Sequence, residues 1–180
     1  LHEPIIKRVI HATADPEYAD ILKISENAVE KGLQALKAGC GIVTDTRMAE
    51  AGINKKLLAS LGLHVSCFMD SKDVAEEAIR RGTTRAVVSM EKASADPANR
   101  LFVIGNAPTA LIRLHELISE GAARPELVIG VPVGFVNVVE SKTLLKKSGV
   151  PYIISEGQKG GSNVAAAIVN ALMLMGVNHE

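Results

Sequence analysis

Residues 101–105 read LFVIG and run directly into NAPTALIRLHELISEG (106–121). The five-residue run is apolar without alternation, the pattern of a strand covered on both faces. The longer segment has a helical pattern, with Pro108 at an early position and Gly121 at its close. The same grammar recurs along the chain. GIVTD (41–45), HVSCF (64–68), ELVIGV (126–131) and YIIS (152–155) read as further buried strands. SENAVEKGLQALKAG (25–39) reads as a helix with Ser25 as N-cap and Gly39 as its C-terminal stop. GSNVAAAIVNALMLMG (161–176) reads as a helix whose small residues let it pack tightly on a sheet. The expected fold class is therefore α/β: one domain over 1–180, three layers in α/β/α order, around a mainly parallel sheet of about five strands.

Composition agrees and narrows the function classes. The chain has 180 residues and is 47% hydrophobic, enough for a substantial core, while only 3% is aromatic, so that core is built from aliphatic side chains and methionine. Twenty basic and twenty acidic residues give a formal net charge of zero. No global field draws the protein to nucleic acid or an anionic membrane, and no basic tract interleaved with aromatics exists to do so locally. No apolar run approaches the roughly 20 residues that cross a bilayer, and no signal peptide is visible. Cys40 and Cys67 have neither CxxC nor metal-ligand spacing and sit in apolar surroundings. They read as buried free thiols of a cytoplasmic protein. The chain opens at Leu1 rather than Met, so some native N-terminal residues are expected to be missing.

In open α/β sheets the ligand crevice lies beyond the carboxyl ends of the strands. Polar residues and glycines gather there: Asp45-Thr46-Arg47-Met48, Met69-Asp70-Ser71, Asn106-Ala107-Pro108-Thr109, Pro132-Val133-Gly134-Phe135 and Glu156 to Ser162. A wide polar pocket is the natural expectation. The loop GQKGGS (157–162) leads from strand to helix. Free N–H groups, the helix dipole and Lys159 suit an anion, although a tight turn with Ser162 as N-cap explains it equally well. Neither the phosphate-loop nor the dinucleotide fingerprint is present. Asn106 and Thr109 offer hydrogen bonds at the mouth, and Phe135 suits either a flat ligand or the core. Glu140, Ser141 and Lys142 read as a solvated helix face. Arg85, at a helix start that mildly disfavours a cation, hints at a carboxylate partner.

Of the five histidines, His2 and His179 are terminal, His64 falls in a strand pattern and His115 in a helix. No H-x-x-x-H pair or acidic ligand set accompanies them, so no metal site is expected. No G-x-S-x-G elbow supports a serine hydrolase. His11 remains as a general acid or base, against the alternative of a partly buried ring with ordinary partners. If PIIKRVIHA (4–12) is helical, His11 lies near the negative end of its dipole, which favours an acid.

RVIHATAD (8–15), AGCGIVTDTRMAEAGI (38–53), RGTTRA (81–86), VIGNAPTAL (103–111), GVPVGFVNVVESK (130–142) and GQKGGSNVAAAIVNAL (157–172) occur in one order and spacing. Together they resemble the precorrin-8X methylmutase (precorrin isomerase) family, from about residue 4 to 175. The family's opening segment upstream of the histidine motif is largely absent.

The resemblance implies a cofactor-independent isomerase of cobalamin biosynthesis. It moves a methyl group from carbon 11 to carbon 12 of precorrin-8X or cobalt-precorrin-8, giving hydrogenobyrinic or cobyrinic acid. It also implies a homodimer with active sites near the interface, His11 as proton donor and Arg85 as a carboxylate-binding residue. Thr46, Arg47, Asn106, Thr109, Lys159 and Ser162 are further substrate-binding candidates from their place on the strand-end edge. Two rivals remain: a non-catalytic tetrapyrrole carrier, which would not need His11, and a nucleotide- or phosphate-dependent enzyme using residues 157–162.

Overall fold

The computed structural model describes residues 1–178. The chain forms α1 (Glu3–Thr13), α2 (Tyr18–Ile21), β1 (Leu22–Ile24), α3 (Ala28–Lys37), β2 (Gly41–Thr44), α4 (Arg47–Gly52), α5 (Lys55–Ser60) and β3 (Val65–Cys67). It continues with α6 (Lys72–Arg81), α7 (Arg85–Ser94), β4 (Asn99–Ile104), α8 (Pro108–Ser119), β5 (Leu127–Gly130), α9 (Val138–Lys146), β6 (Tyr152–Ser155) and α10 (Ser162–Asn178). The strands form one six-stranded sheet in the order β1-β6-β5-β4-β2-β3. Strands β2 to β6 pair in parallel, and β1 alone runs antiparallel, against β6.

The unbroken apolar runs are explained by cores on both faces. Leu101, Val103, Leu127, Ile129 and Ile153 point to one side, where α1, α3, α5 and α10 cover them. Their neighbours Phe102, Ile104, Val128 and Ile154 point to the other, under α7, α8 and α9. Alternate residues of a strand face opposite ways, so two buried faces remove the polar positions. Each fully buried large aliphatic or aromatic side chain contributes roughly 1.5–3 kcal/mol relative to exposure. Helix α6 stands outside this arrangement, packing Val74 and Ala78 on Val88 of α7. Helix α10 is apolar nearly all round because it lies between the sheet and α1, α3, α4 and α5.

The structure adds a sixth strand to the five expected. β1 is only three residues long, with Lys23 on an exposed edge, too short to leave a pattern. Ser25 consequently does not cap α3. It extends the β1–β6 edge, donating its N–H to the Tyr152 carbonyl at 3.0 Å and accepting the Tyr152 N–H on Oγ at 2.8 Å. Helix α3 begins instead after Asn27, in the left-handed region with φ +60°. His64 precedes β3 and is exposed rather than inside a strand. Cys40 and Cys67 are buried free thiols, and burial pushes Cys40 up to about 11, which keeps it unreactive. Among the described residues no helix is long and apolar enough to cross a membrane, and no cluster of metal-ligating side chains occurs.

Candidate active site

The loops after β2, β4, β5 and β6 meet on one edge of the sheet, where buried and part-buried polar contacts join them into a rim. Asp45 follows β2. Its carboxylate accepts the Gly105 N–H at 2.9 Å on one oxygen, and the Asn106 and Ala107 N–H groups at 2.9 and 2.7 Å on the other. Burial raises the pKa of this group, while the three N–H donors oppose that by favouring the anion. The turn that carries Asn106 into α8 is thus held by a carboxylate from the neighbouring strand. Thr46 caps α4 by accepting the Ala49 N–H at 3.0 Å, and its hydroxyl shares a 2.7 Å hydrogen bond with Ser162, the first residue of α10. A Cβ on Gly105 would stand 2.8 Å from the Ser162 Cα. Only glycine lets the end of β4 approach the start of α10 this closely.

The loops after β5 and β6 pack as one unit. Gly161 donates to the Val131 carbonyl at 2.9 Å and Gly134 to the Gln158 carbonyl at 3.1 Å. A Cβ on Gly160 would collide with the Val131 oxygen. Beneath this unit sits Lys142. Its ammonium donates to Ser155 Oγ at 3.2 Å, the Gly157 carbonyl at 2.8 Å and the Lys159 carbonyl at 2.9 Å. Lys142 is only 3% exposed, and Ser141 beside it is fully buried, so these residues are not the solvated face expected from sequence. Desolvation pushes the Lys142 pKa from its ordinary 10.5 down to about 8.

The turn that follows His11 reaches the same edge from the α10 side of the sheet. Ile5 and Val9 bury one stripe of α1, leaving His11 exposed in the last turn. The helix stops at Ala14, which adopts the left-handed conformation at φ +54°. The chain then passes through α2 to Leu22, whose partner is Ser155, the last residue of β6. Lys159 fastens this connection by ion pairs to Asp15 at 2.6 Å and Glu17 at 2.7 Å. That pairing holds Asp15 below the usual carboxylate range and Lys159 above the usual amine range.

The candidate cations therefore differ in availability. Lys159 is engaged by two carboxylates, and Arg47 is engaged by Asp70 and Glu50, both at 2.7 Å. Arg85, at the start of α7, is exposed and makes no ion pair among the described residues. Its neighbours Arg81 and Arg113 both pair with Glu91. Thr109 shares a cleft of about 400 Å³ with Thr83 and Val87, which places the starts of α7 and α8 together on the strand-end edge. Asn106 is exposed beside them. The structure therefore joins Thr46 to Ser162 directly and Lys159 to the turn after His11. Arg85 and Thr109 stand on the opposite helical layer of the same rim.

Apolar surface completes the picture. Phe135 and Val136 are 84% and 78% exposed in the loop after β5, and Met48 is 71% exposed beside Arg47. Phe135 is thus no core residue. An exposed imidazole, an unpaired guanidinium, amide and hydroxyl groups and apolar ledges on one broad edge suit a large ligand that is part flat and part anionic. Asp45 and Lys142 are the polar residues that sequence reasoning misses. Lys142 does leave a signal: with Val138, Ser141 and Leu145 it occupies the i, i+3, i+4, i+7 stripe that α9 buries.

Comparison with known proteins identifies the family. The family model for precorrin-8X methylmutase matches residues 1–175. The cobalt-precorrin-8 methylmutase of Salmonella typhimurium is 50% identical over 176 residues, covering 96% of this chain and 81% of that protein. That of Leptospira interrogans is 44% identical over 179 residues, covering 95% and 81%. The crystal structure of the precorrin-8X methylmutase from Thermus thermophilus superposes with a TM-score of 0.91 at 41% identity, covering 99% of this chain and 86% of that one. The chain belongs to the precorrin-8X methylmutase family, the methyl-shifting isomerases of cobalamin biosynthesis.

Proposed function

We propose that this isomerase moves the methyl group from carbon 11 to carbon 12 of precorrin-8X or cobalt-precorrin-8, with His11 as the proton donor. What supports the reading is the exposed imidazole in the last turn of α1, next to the turn that Lys159 ties to the loop after β6 by ion pairs with Asp15 and Glu17. His11 lends a proton to the macrocycle, which makes its conjugated framework electron-poor. The carbon 11–methyl bond breaks as the carbon 12–methyl bond forms, and the proton is returned, so substrate and product have one composition. Asn106, Thr46, Thr109 and Ser162 supply neutral polar contacts along the edge. Arg47 and Lys159, already paired, set the local potential and brace the rim.

The tetrapyrrole reading also accounts for the exposed Met48, Val133, Phe135, Val136 and Val139. These residues suit the apolar part of a macrocycle and a second copy of the chain closing over it, hence a homodimer with its sites near the interface. The two buried free thiols fit a reducing cytoplasm. The direct test incubates the protein with each substrate form and follows the visible spectrum, then extracts the pigment after denaturation. Conversion to an isomer of altered conjugation is expected. Tight binding with the substrate recovered unchanged would select the carrier reading instead.

Arg85 gives an independent check. A charge-assisted hydrogen bond contributes about 1.5–3 kcal/mol, so Arg85→Ala is expected to weaken corrinoid binding by about tenfold to a hundredfold. The salt dependence of the remaining affinity becomes shallower, because one screened charge contact is gone. Titrations at two ionic strengths measure both, and equal affinity and salt slope for the two proteins would return Arg85 to the plain surface.

A further inference from the structure

Lys142 has no direct path to a ligand. Its three ammonium protons are matched by three protein acceptors, and its side chain is enclosed by α9, β6 and the loop after β6. What it touches is informative. Two of the acceptors, the Gly157 and Lys159 carbonyls, belong to the loop that carries Lys159. The third, Ser155 Oγ, itself donates to the Lys159 carbonyl at 2.6 Å. The Lys159 backbone is thus fixed by two donors from below, while its side chain reaches outward to Asp15 and Glu17 in the turn after α1.

The geometry points to Lys142 as a positioning residue for the isomerisation: it fixes the backbone of Lys159, whose paired carboxylates in turn fix the end of α1 that presents His11. This inference rests on His11 being the proton donor. A second, exposed strut touches the same loop, from Lys146 and Lys23 to Glu156. That strut ends on the Glu156 side chain and does not touch the Gly157 or Lys159 carbonyls, whereas the buried ammonium holds both and, satisfied by three acceptors, has one arrangement. An apolar side chain in its place leaves the Gly157 carbonyl without its side-chain donor and the Lys159 carbonyl with Ser155 Oγ alone. The Lys159 anchor then shifts, and displacement of a catalytic group by about 1 Å costs on the order of a hundredfold in rate.

The experiment compares Lys142→Met, the surface double variant Asp15→Asn with Glu17→Gln, and their combination. It measures kcat, KM and amide hydrogen exchange of residues 157–161. Lys142→Met is expected to accelerate exchange in that loop while amides of β4 and β5 stay protected. It lowers kcat about tenfold to a hundredfold, with KM within about threefold. The double variant, which cuts the chain at its far end and leaves the core untouched, lowers kcat similarly. The combination falls no further than the larger single effect, because both act through one link.

Placing Lys142→Met in a His11→Ala background separates the two readings. Full turnover by His11→Ala alone would remove the proton-donor reading and this inference with it. If His11→Ala is impaired, additive losses, or an unaltered kcat in the surface double variant, would overturn the positioning role and leave the His11 reading standing. Should Lys142→Met fail to fold, the double variant decides alone.

Discussion

His11→Ala is expected to lower the isomerisation rate by about 10²–10⁴-fold, the range that general acid catalysis supplies, while leaving corrinoid affinity within a few-fold. The imidazole is exposed in the last turn of α1 and has no hydrogen-bond partner among the described residues, so its removal breaks nothing that holds the fold. Surface substitutions of this kind change stability by no more than about 0.5 kcal/mol. The variant therefore separates chemistry from folding: melting temperature stays near wild type while the single-turnover rate collapses. The residual rate stays above that of the free macrocycle, because the rim still holds the substrate in one conformation. A variant that binds substrate and turns it over at the wild-type rate would remove His11 as the acid.

The contrast between His11 and the other candidates shows what is legible in the sequence. Buried parallel strands announce themselves, because two apolar faces leave no polar alternation, and β2, β4, β5 and β6 are readable for that reason, while the edge strand β3 is only partly buried. Strand β1 is not readable, since three residues flanked by Ser25 resemble the approach to a helix. The strand-end rule gathers the right loops onto one edge. What it does not give is which charges on that edge are already satisfied. Lys159 finds Asp15 across 144 residues of chain and Arg47 finds Asp70 across 23, separations with no local signature. Arg85 and Lys159 look alike as letters, yet among the described residues one is unpaired and the other lies between two carboxylates. Lys142 is hard to read for the opposite reason. Its helical register is visible, but a lysine in an apolar stripe reads as solvated until the acceptors enclosing it are known.

Asp45→Ala is expected to cost about 3–5 kcal/mol of folding stability, from two or three buried donors left unpaired at about 1–3 kcal/mol each. Asp45 is 1% exposed and is the acceptor for three consecutive backbone N–H groups at 105, 106 and 107. A methyl group in its place leaves the Gly105 N–H fully buried without a partner, while water reaches the other two in part. Asp45→Asn tests the same point more finely. It keeps one oxygen but turns an amide NH₂ toward a backbone N–H, and should lie between wild type and Asp45→Ala. Against a total stability of typically about 5–15 kcal/mol, the Ala variant loses a large share, and urea midpoints report it directly. The loss also reaches the rim, because Gly105 lies against the Ser162 Cα and Ser162 is bonded to Thr46. Faster amide exchange at 105–107 should therefore extend to the first turn of α10. A loss below about 1 kcal/mol with unchanged exchange at these residues would mean that the turn holds itself. The rim would then be a set of independent loops, rather than one structure built on the carboxylate that follows β2.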